Sequence, residues 1–136
     1  MTQQSSNNKL NITLWVLQVV LAAMYIMAGV QKTFGDLEVV VKSIFWVAYV
    51  PAPLVRFIGT CELLGSAGLI LPAALMIRPQ LTTLAAAGLS TIMLLANLMH
   101  IYRGEYYVLP MTLLMFAMAA FVAYGRWKLA PFTPKV

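Results

Sequence analysis

Four apolar runs, at about residues 12–30, 54–71, 81–99 and 108–124, decide what this chain can fold into. Each approaches the roughly 20 residues that a helix needs to cross a hydrocarbon core of about 30 Å. In lipid every backbone polar group must find its partner internally, so runs of this length are helices. The residue balance agrees, with 62% hydrophobic residues, 10% charged residues and a mean hydropathy of +0.85. A soluble domain carries about 25% charged residues to keep its surface wetted. We therefore predict an all-α integral membrane protein, one domain over residues 1–136, folded as a four-transmembrane-helix bundle. The connections are too short to hold a sizeable extramembrane catalytic domain. Any chemistry must sit among the helices, at their ends, or in a partner.

The segments between the runs complete this outline. Residues 1–11 form a polar N-terminal tail, expected to be disordered. The first run outlasts a signal-peptide core and is followed by further spans, so it is read as uncleaved. Residues 34–52 carry Asp36, Glu38 and Lys42, then aromatic side chains at Phe45, Trp46 and Tyr49. The apolar part is too short to span, and the composition suits the headgroup layer, so an interfacial or re-entrant segment ended by Pro51 and Pro53 is expected between the first two spans. Residues 126–136 form a basic C-terminal tail. An even number of spans places both termini on one side, with Lys9, Arg78, Arg126, Lys128 and Lys135, against Lys32, Lys42, Arg56 and Arg103 on the other. If Lys32 and Arg56 are tucked into the bundle, the positive-inside rule puts the termini in the cytoplasm. The expected location is a prokaryotic inner (plasma) membrane.

The formal charge of +5 comes from basic residues scattered singly or in pairs, which fits membrane orientation and anionic headgroups rather than nucleic acid. A lone Cys61 excludes an internal disulfide, a CxxC redox pair and an iron–sulfur cluster. The single His100 excludes a bis-histidine haem held by one chain, and no metal site is predicted. The chain carries no haem, flavin or iron–sulfur motif, so its cofactor stays unknown.

Alternation of span directions gathers most unusual charges at the mouth of the bundle away from the termini. Lys32 ends the first span there, Arg56 and then Glu62 lie in the second, Asn97 and His100 close the third, and Arg103 and Glu105 follow. Only Glu62 is deep, and a charge near the bilayer centre costs about 2.5–3.5 kcal/mol even on the lenient insertion scale. Helical spacing puts Val55, Gly59, Glu62 and Ser66 on one stripe and Met93, Asn97 and His100 on another. If the stripes meet, Glu62 reaches Asn97 or His100. Glu62 and His100 are then candidate catalytic residues, and Lys32, Arg56, Asn97 and Glu105 candidate ligand-binding residues. Each has a plainer role open to it: Glu62 as a helix-packing bond, His100 as an interfacial helix end, Lys32 and Arg56 as snorkelling topology anchors. Gly59, Gly65 and Gly68 are helix-packing positions that let backbones approach closely.

These residues also carry a resemblance. The order AGVQK at the end of the first span, a loop with Trp46 and Pro51, RFIGTCELLGSAGLILP across the second span, LTTLAAAGLSTIMLLA then NLMH and Glu105, and a closing FVAYGRW resemble the DoxX-like group of small membrane proteins. The likeness covers nearly the whole chain, and the glycine-spaced second span with Arg and Glu before Pro is its most specific part. It implies a four-helix bundle associated with redox chemistry. Founding members are named for membrane subunits of an archaeal terminal quinol oxidase and a thiosulfate:quinone oxidoreductase, relatives are described as membrane partners of soluble oxidoreductases, and others look like assembly factors or chaperones. The matching positions are Lys32, Arg56, Gly59, Glu62, Gly65, Gly68, Pro72 and His100, with no catalytic assignment to carry over.

Three functions stay open at this point. The first is a redox-associated membrane subunit with a quinone or isoprenoid lipid site at the Glu62–His100 end, inactive alone and served by a soluble or membrane oxidoreductase partner. The second is a non-enzymatic assembly or scaffold subunit. The third is a small transporter, which so short a chain permits only as a homo-oligomer. Membrane lipid is a partner in all three.

Overall fold

The computed structural model describes residues 2–132, so Lys135 and the last four residues of the basic tail lie outside the described residues. The chain forms α1 (Thr2–Phe34), α2 (Leu37–Ser43), a 3-10 turn (Phe45–Tyr49), α3 (Ala52–Leu75), α4 (Gln80–Tyr102), α5 (Leu109–Tyr124) and a π-helical turn (Gly125–Leu129), with no strand among the described residues. Four helices are long and apolar enough to cross a membrane: Asn7–Phe34, Ala52–Leu75, Gln80–Tyr102 and Leu109–Leu129. All four are longer than the apolar runs that announced them. A helix nucleated inside lipid propagates cheaply into flanking polar residues, because each added residue gains a hydrogen bond without a new nucleus. The same reasoning corrects the N-terminal expectation. The polar segment before the first span is continuous with α1 and not a disordered tail.

Consecutive spans run antiparallel and pack in ring order, α1 on α3, α3 on α4 and α4 on α5, with a lighter closure of α5 on α1. Each span buries a narrow stripe at steps of three or four. On α1 it is Leu14, Gln18, Leu21, Tyr25, Gly29 and Lys32; on α3, Val55, Gly59, Glu62, Ser66, Leu69 and Ala73; on α4, Thr82, Ala86, Leu89, Met93, Asn97 and His100; on α5, Met115, Ala119 and Val122. The opposite faces expose large apolar side chains such as Val16, Phe57, Leu84 and Leu114. Lipid is the natural solvent for such faces, and this inversion is why the bundle shows little amphipathic signal.

The connection between α1 and α3 is too short to span, as expected, and folds over one end of the bundle. Asp36 caps α2 by accepting from the Glu38 backbone N–H at 3.0 Å. Val40 and Val47 then form a small apolar cluster with Val55 at the start of α3. At the other end Pro72 lies inside α3 and supplies no N–H to the ladder. The fully buried Gln18 donates to the nearby Leu69 carbonyl at 2.7 Å and so ties α1 to that stretch.

Small residues set the helix separations. A Cβ on Gly59 would lie 2.7 Å from Lys32 Cβ and 2.9 Å from the Thr33 backbone nitrogen, and one on Gly29 would lie 2.9 Å from the Gly59 carbonyl oxygen. Gly65 and Gly68 face α4 instead, where added Cβ atoms would lie 2.6 Å from Leu89 Cδ2 and 2.7 Å from Ala85 Cβ. Gly88 has nothing within 4 Å of its position. Gly59→Ala should therefore push α1 off α3 and cost about 1–3 kcal/mol, as overpacking does. Gly88→Ala should be neutral or gain up to about 1 kcal/mol of helix propensity. Unfolding midpoints in one detergent check the contrast, and equal effects would contradict the packing described.

Candidate functional site

The direction in which side chains leave an antiparallel helix pair explains the centre of the site. A Cα–Cβ bond tilts toward its own helix N-terminus. Lys32, near the C-terminal end of α1, is thus aimed back into the bundle, while Glu62 on α3 is aimed outward toward the mouth. They meet: Lys32 Nζ donates to Glu62 Oε1 at 2.6 Å and to Oε2 at 2.8 Å, with both residues buried. Trp46 of the 3-10 turn covers the ammonium at 5.5 Å from its ring centroid. This corrects two expectations. Glu62 pairs with Lys32 rather than Asn97 or His100, because the glycine-lined α1–α3 crossing places those two helices in closest contact. Lys32 does not snorkel to the interface.

Arg56 has a third role, distinct from both readings of it. Its Nη1 donates to the carbonyls of Lys32 at 3.1 Å, Thr33 at 2.9 Å and Gly35 at 2.7 Å. The last turn of a helix leaves carbonyls without intrahelical donors, and a cation there also opposes the negative end of the helix dipole. Arg56 is the C-terminal cap of α1, supplied by the next span.

The remaining predicted residues form a second group between α4 and α5. Asn97 donates to the Met93 carbonyl at 2.8 Å and accepts from Thr112 Oγ1 at 2.7 Å, linking the two helices. His100 Nδ1 lies 2.7 Å from Glu105 Oε2, and Arg103 Nε donates to Glu105 Oε1 at 2.9 Å. An ionised carboxylate only accepts, so Nδ1 carries the proton and the ring's Nε2 is left without a hydrogen bond among the described residues. Arg103 in turn stacks on Tyr49 at 3.7 Å. The 3-10 turn therefore touches both groups, Lys32 through Trp46 and Arg103 through Tyr49. Among the described residues, no three His, Cys, Asp or Glu side chains gather into a metal cluster.

Sequence reasoning missed the polar groups of the opposite end. Arg126, assigned to the basic tail, is 2% exposed, because the π-helical turn carries the chain on past α5 and holds Arg126 against α1. Its Nε donates to Gln18 Oε1 at 2.7 Å and its Nη1 to Asn11 Oδ1 at 2.6 Å. The available signal was spacing: Gln18 lies seven residues before Tyr25 and fourteen before Lys32, on the same helix face. The polar residues therefore occupy both ends of the bundle, not one mouth. Between them the fully buried Tyr25 hydroxyl has no hydrogen-bond partner among the described residues.

Two consequences can be measured. Removing one member of the buried pair, by Lys32→Met or Glu62→Leu, should cost about 3–5 kcal/mol, whereas the two substitutions combined should restore most of it. Unfolding of the four proteins in detergent gives the coupling directly, and additive losses would contradict the pair. At the connection, the hydrogen bond with His100 first, and Arg103 second, hold the Glu105 carboxyl below the usual carboxylate range. A depressed folded-state value stabilises above the unfolded one and is lost as pH falls through the folded one. The stability gap between wild type and Glu105→Gln should thus be constant near neutrality and close only on acidification below the usual carboxylate range. A gap that widens with acid would contradict the assignment.

Comparison with known proteins agrees with this architecture. The model of the DoxX-like family matches residues 16–122, which cover the second and third spans whole, most of the first and fourth, and the Lys32, Arg56, Glu62, Asn97, His100 and Glu105 positions. No curated protein and no solved structure matches the chain. With most of its length covered by that one family model and its four membrane-spanning helices in place, the chain belongs to the DoxX-like family.

Proposed function

We propose that this DoxX-like membrane protein is a non-enzymatic scaffold or assembly subunit that presents a rigid four-helix surface to another protein. One observation supports this reading above others: the acid and base groups of the candidate site are spent on bonds within the chain. Lys32 occupies both oxygens of Glu62, Arg56 closes the end of α1, and Arg103 and His100 share Glu105. Asn97 likewise bonds to Thr112. Groups so engaged hold helices in register, and they act on a substrate only after giving up those bonds. The location that goes with this role is a prokaryotic inner membrane with both termini cytoplasmic.

A second reading keeps the redox association and a quinone or isoprenoid ligand. It is favoured by His100, whose Nδ1 is oriented by Glu105 while Nε2 makes no hydrogen bond among the described residues. A carboxylate that fixes the imidazole tautomer is a recurring feature of general bases. Electrons would then come from a partner's flavin, haem or metal.

Native mass spectrometry of the tagged full chain, drawn from its own membranes in mild detergent, separates the two. The scaffold reading expects a stoichiometric partner protein, retained by Lys32→Met/Glu62→Leu and by His100→Gln. The quinone reading expects a co-purifying quinone that His100→Gln loses with its unfolding midpoint unchanged. A chain that carries neither partner nor ligand contradicts both.

A further inference from the structure

Among the described residues, the charged side chains at the end of the bundle that holds the termini are all basic. Every acid in the sequence, Asp36, Glu38, Glu62 and Glu105, lies elsewhere, on the opposite connections or deep in α3. Lys9, Arg78 and Lys128 are exposed at this end, and Arg126 is buried there. The bonds of Arg126 all go to neutral groups: Gln18, Asn11 and, at 3.3 Å, the Ala130 carbonyl. Among the described residues its Nη2 makes one long contact, 3.5 Å to the Asn11 carbonyl. Phe132 lies 4.0 Å from the guanidinium. A buried cation with no anionic partner among the described residues is expensive in a low dielectric, which makes it a place where a counter-charge is strongly favoured.

Arg126 also lines a lateral groove of about 760 Å³ between α4 and α5. Small side chains, Thr83, Ala87 and Ser90 on α4 and Ala120 and Ala123 on α5, make room for the groove between larger ones such as Leu84 and Tyr124. Along α4 it runs from Gln80 to Ser90, about 15 Å at 1.5 Å per residue, or the depth of one leaflet of a hydrocarbon core of about 30 Å. Its outer end holds Arg126, Trp127 and the start of α4, whose N-cap Pro79 offers no side-chain cap. An apolar slot one leaflet deep with a cation at its headgroup end matches one molecule type: a membrane lipid with a negative headgroup.

We propose that this groove binds one anionic phospholipid from the leaflet at the terminal face, with an acyl chain along α4 and α5 and its phosphate on the weakly engaged Nη2 of Arg126. The proposal is independent of the assignment at the other mouth. Delipidated full chain in mild detergent, titrated by native mass spectrometry with dioleoyl phosphatidylglycerol or dioleoyl phosphatidylcholine, tests it, because the two lipids differ only in headgroup. Phosphatidylglycerol should bind one per chain and at least about fivefold tighter than phosphatidylcholine, and Arg126→Gln should abolish that preference. Since Arg126 also ties helix ends together, a second variant separates binding from folding. Ala87→Leu/Ala123→Leu fills the groove and leaves every Arg126 bond in place, so it should keep the unfolding midpoint and lose the bound lipid. Equal affinity of the wild type for both lipids would overturn the proposal, as would undiminished phosphatidylglycerol binding by the filled-groove variant.

Discussion

The buried pair between Lys32 and Glu62, at the close approach of α1 and α3, is the interaction on which the rest of the bundle depends. Lipid tails are as apolar as the side chains they surround, so the hydrophobic effect does little to choose one helix partner over another. Sequence must choose by other means. Gly29 and Gly59 let the two backbones approach until a Cβ no longer fits. Each helix then carries one charge that lipid disfavours by about 2.5–3.5 kcal/mol at the bilayer centre, a penalty relieved only when the helices meet in this register. Such a pair specifies an arrangement more than it stabilises one, since well-packed apolar replacements serve nearly as well for stability.

From that crossing the other contacts follow in order. With α1 held on α3, the carbonyls at the end of α1 come within reach of Arg56, and the connection folds its aromatic turn over the mouth. Gly65 and Gly68, on the next face of α3, receive α4. Asn97 and Thr112 join α4 to α5, and Arg126 returns from the end of α5 to Gln18 and Asn11 on α1. The ring is therefore closed by polar bonds at both ends and by small and apolar packing between them. Such a framework leaves its outward surface to lipid, and the proposed scaffold role would take part of that surface for a partner.

Much of this was legible before any coordinates. The four apolar runs marked the spans, and the three-and-four spacing placed Val55, Gly59, Glu62 and Ser66, and Met93, Asn97 and His100, on stripes that are buried. The partner of Glu62 was not legible, because helical periodicity says which residues share a face and not which helix that face meets. The information was present in Gly29, Lys32 and Gly59, and in the tilt of side chains toward their own N-termini. Arg126 was hidden for a different reason: a basic residue beside Trp and Tyr at a span end ordinarily reaches toward headgroups, and the π-helical turn that buries it has no signature in composition.

The central claim is that Lys32 and Glu62 meet as a charge pair rather than as two independently tolerated polar residues. Exchanging them tests it most directly. The account predicts that Lys32→Glu/Glu62→Lys, measured by unfolding midpoint in detergent, recovers most of the stability lost in either single reversal, each of which places like charges together. An exchange protein as damaged as the single reversals would contradict it.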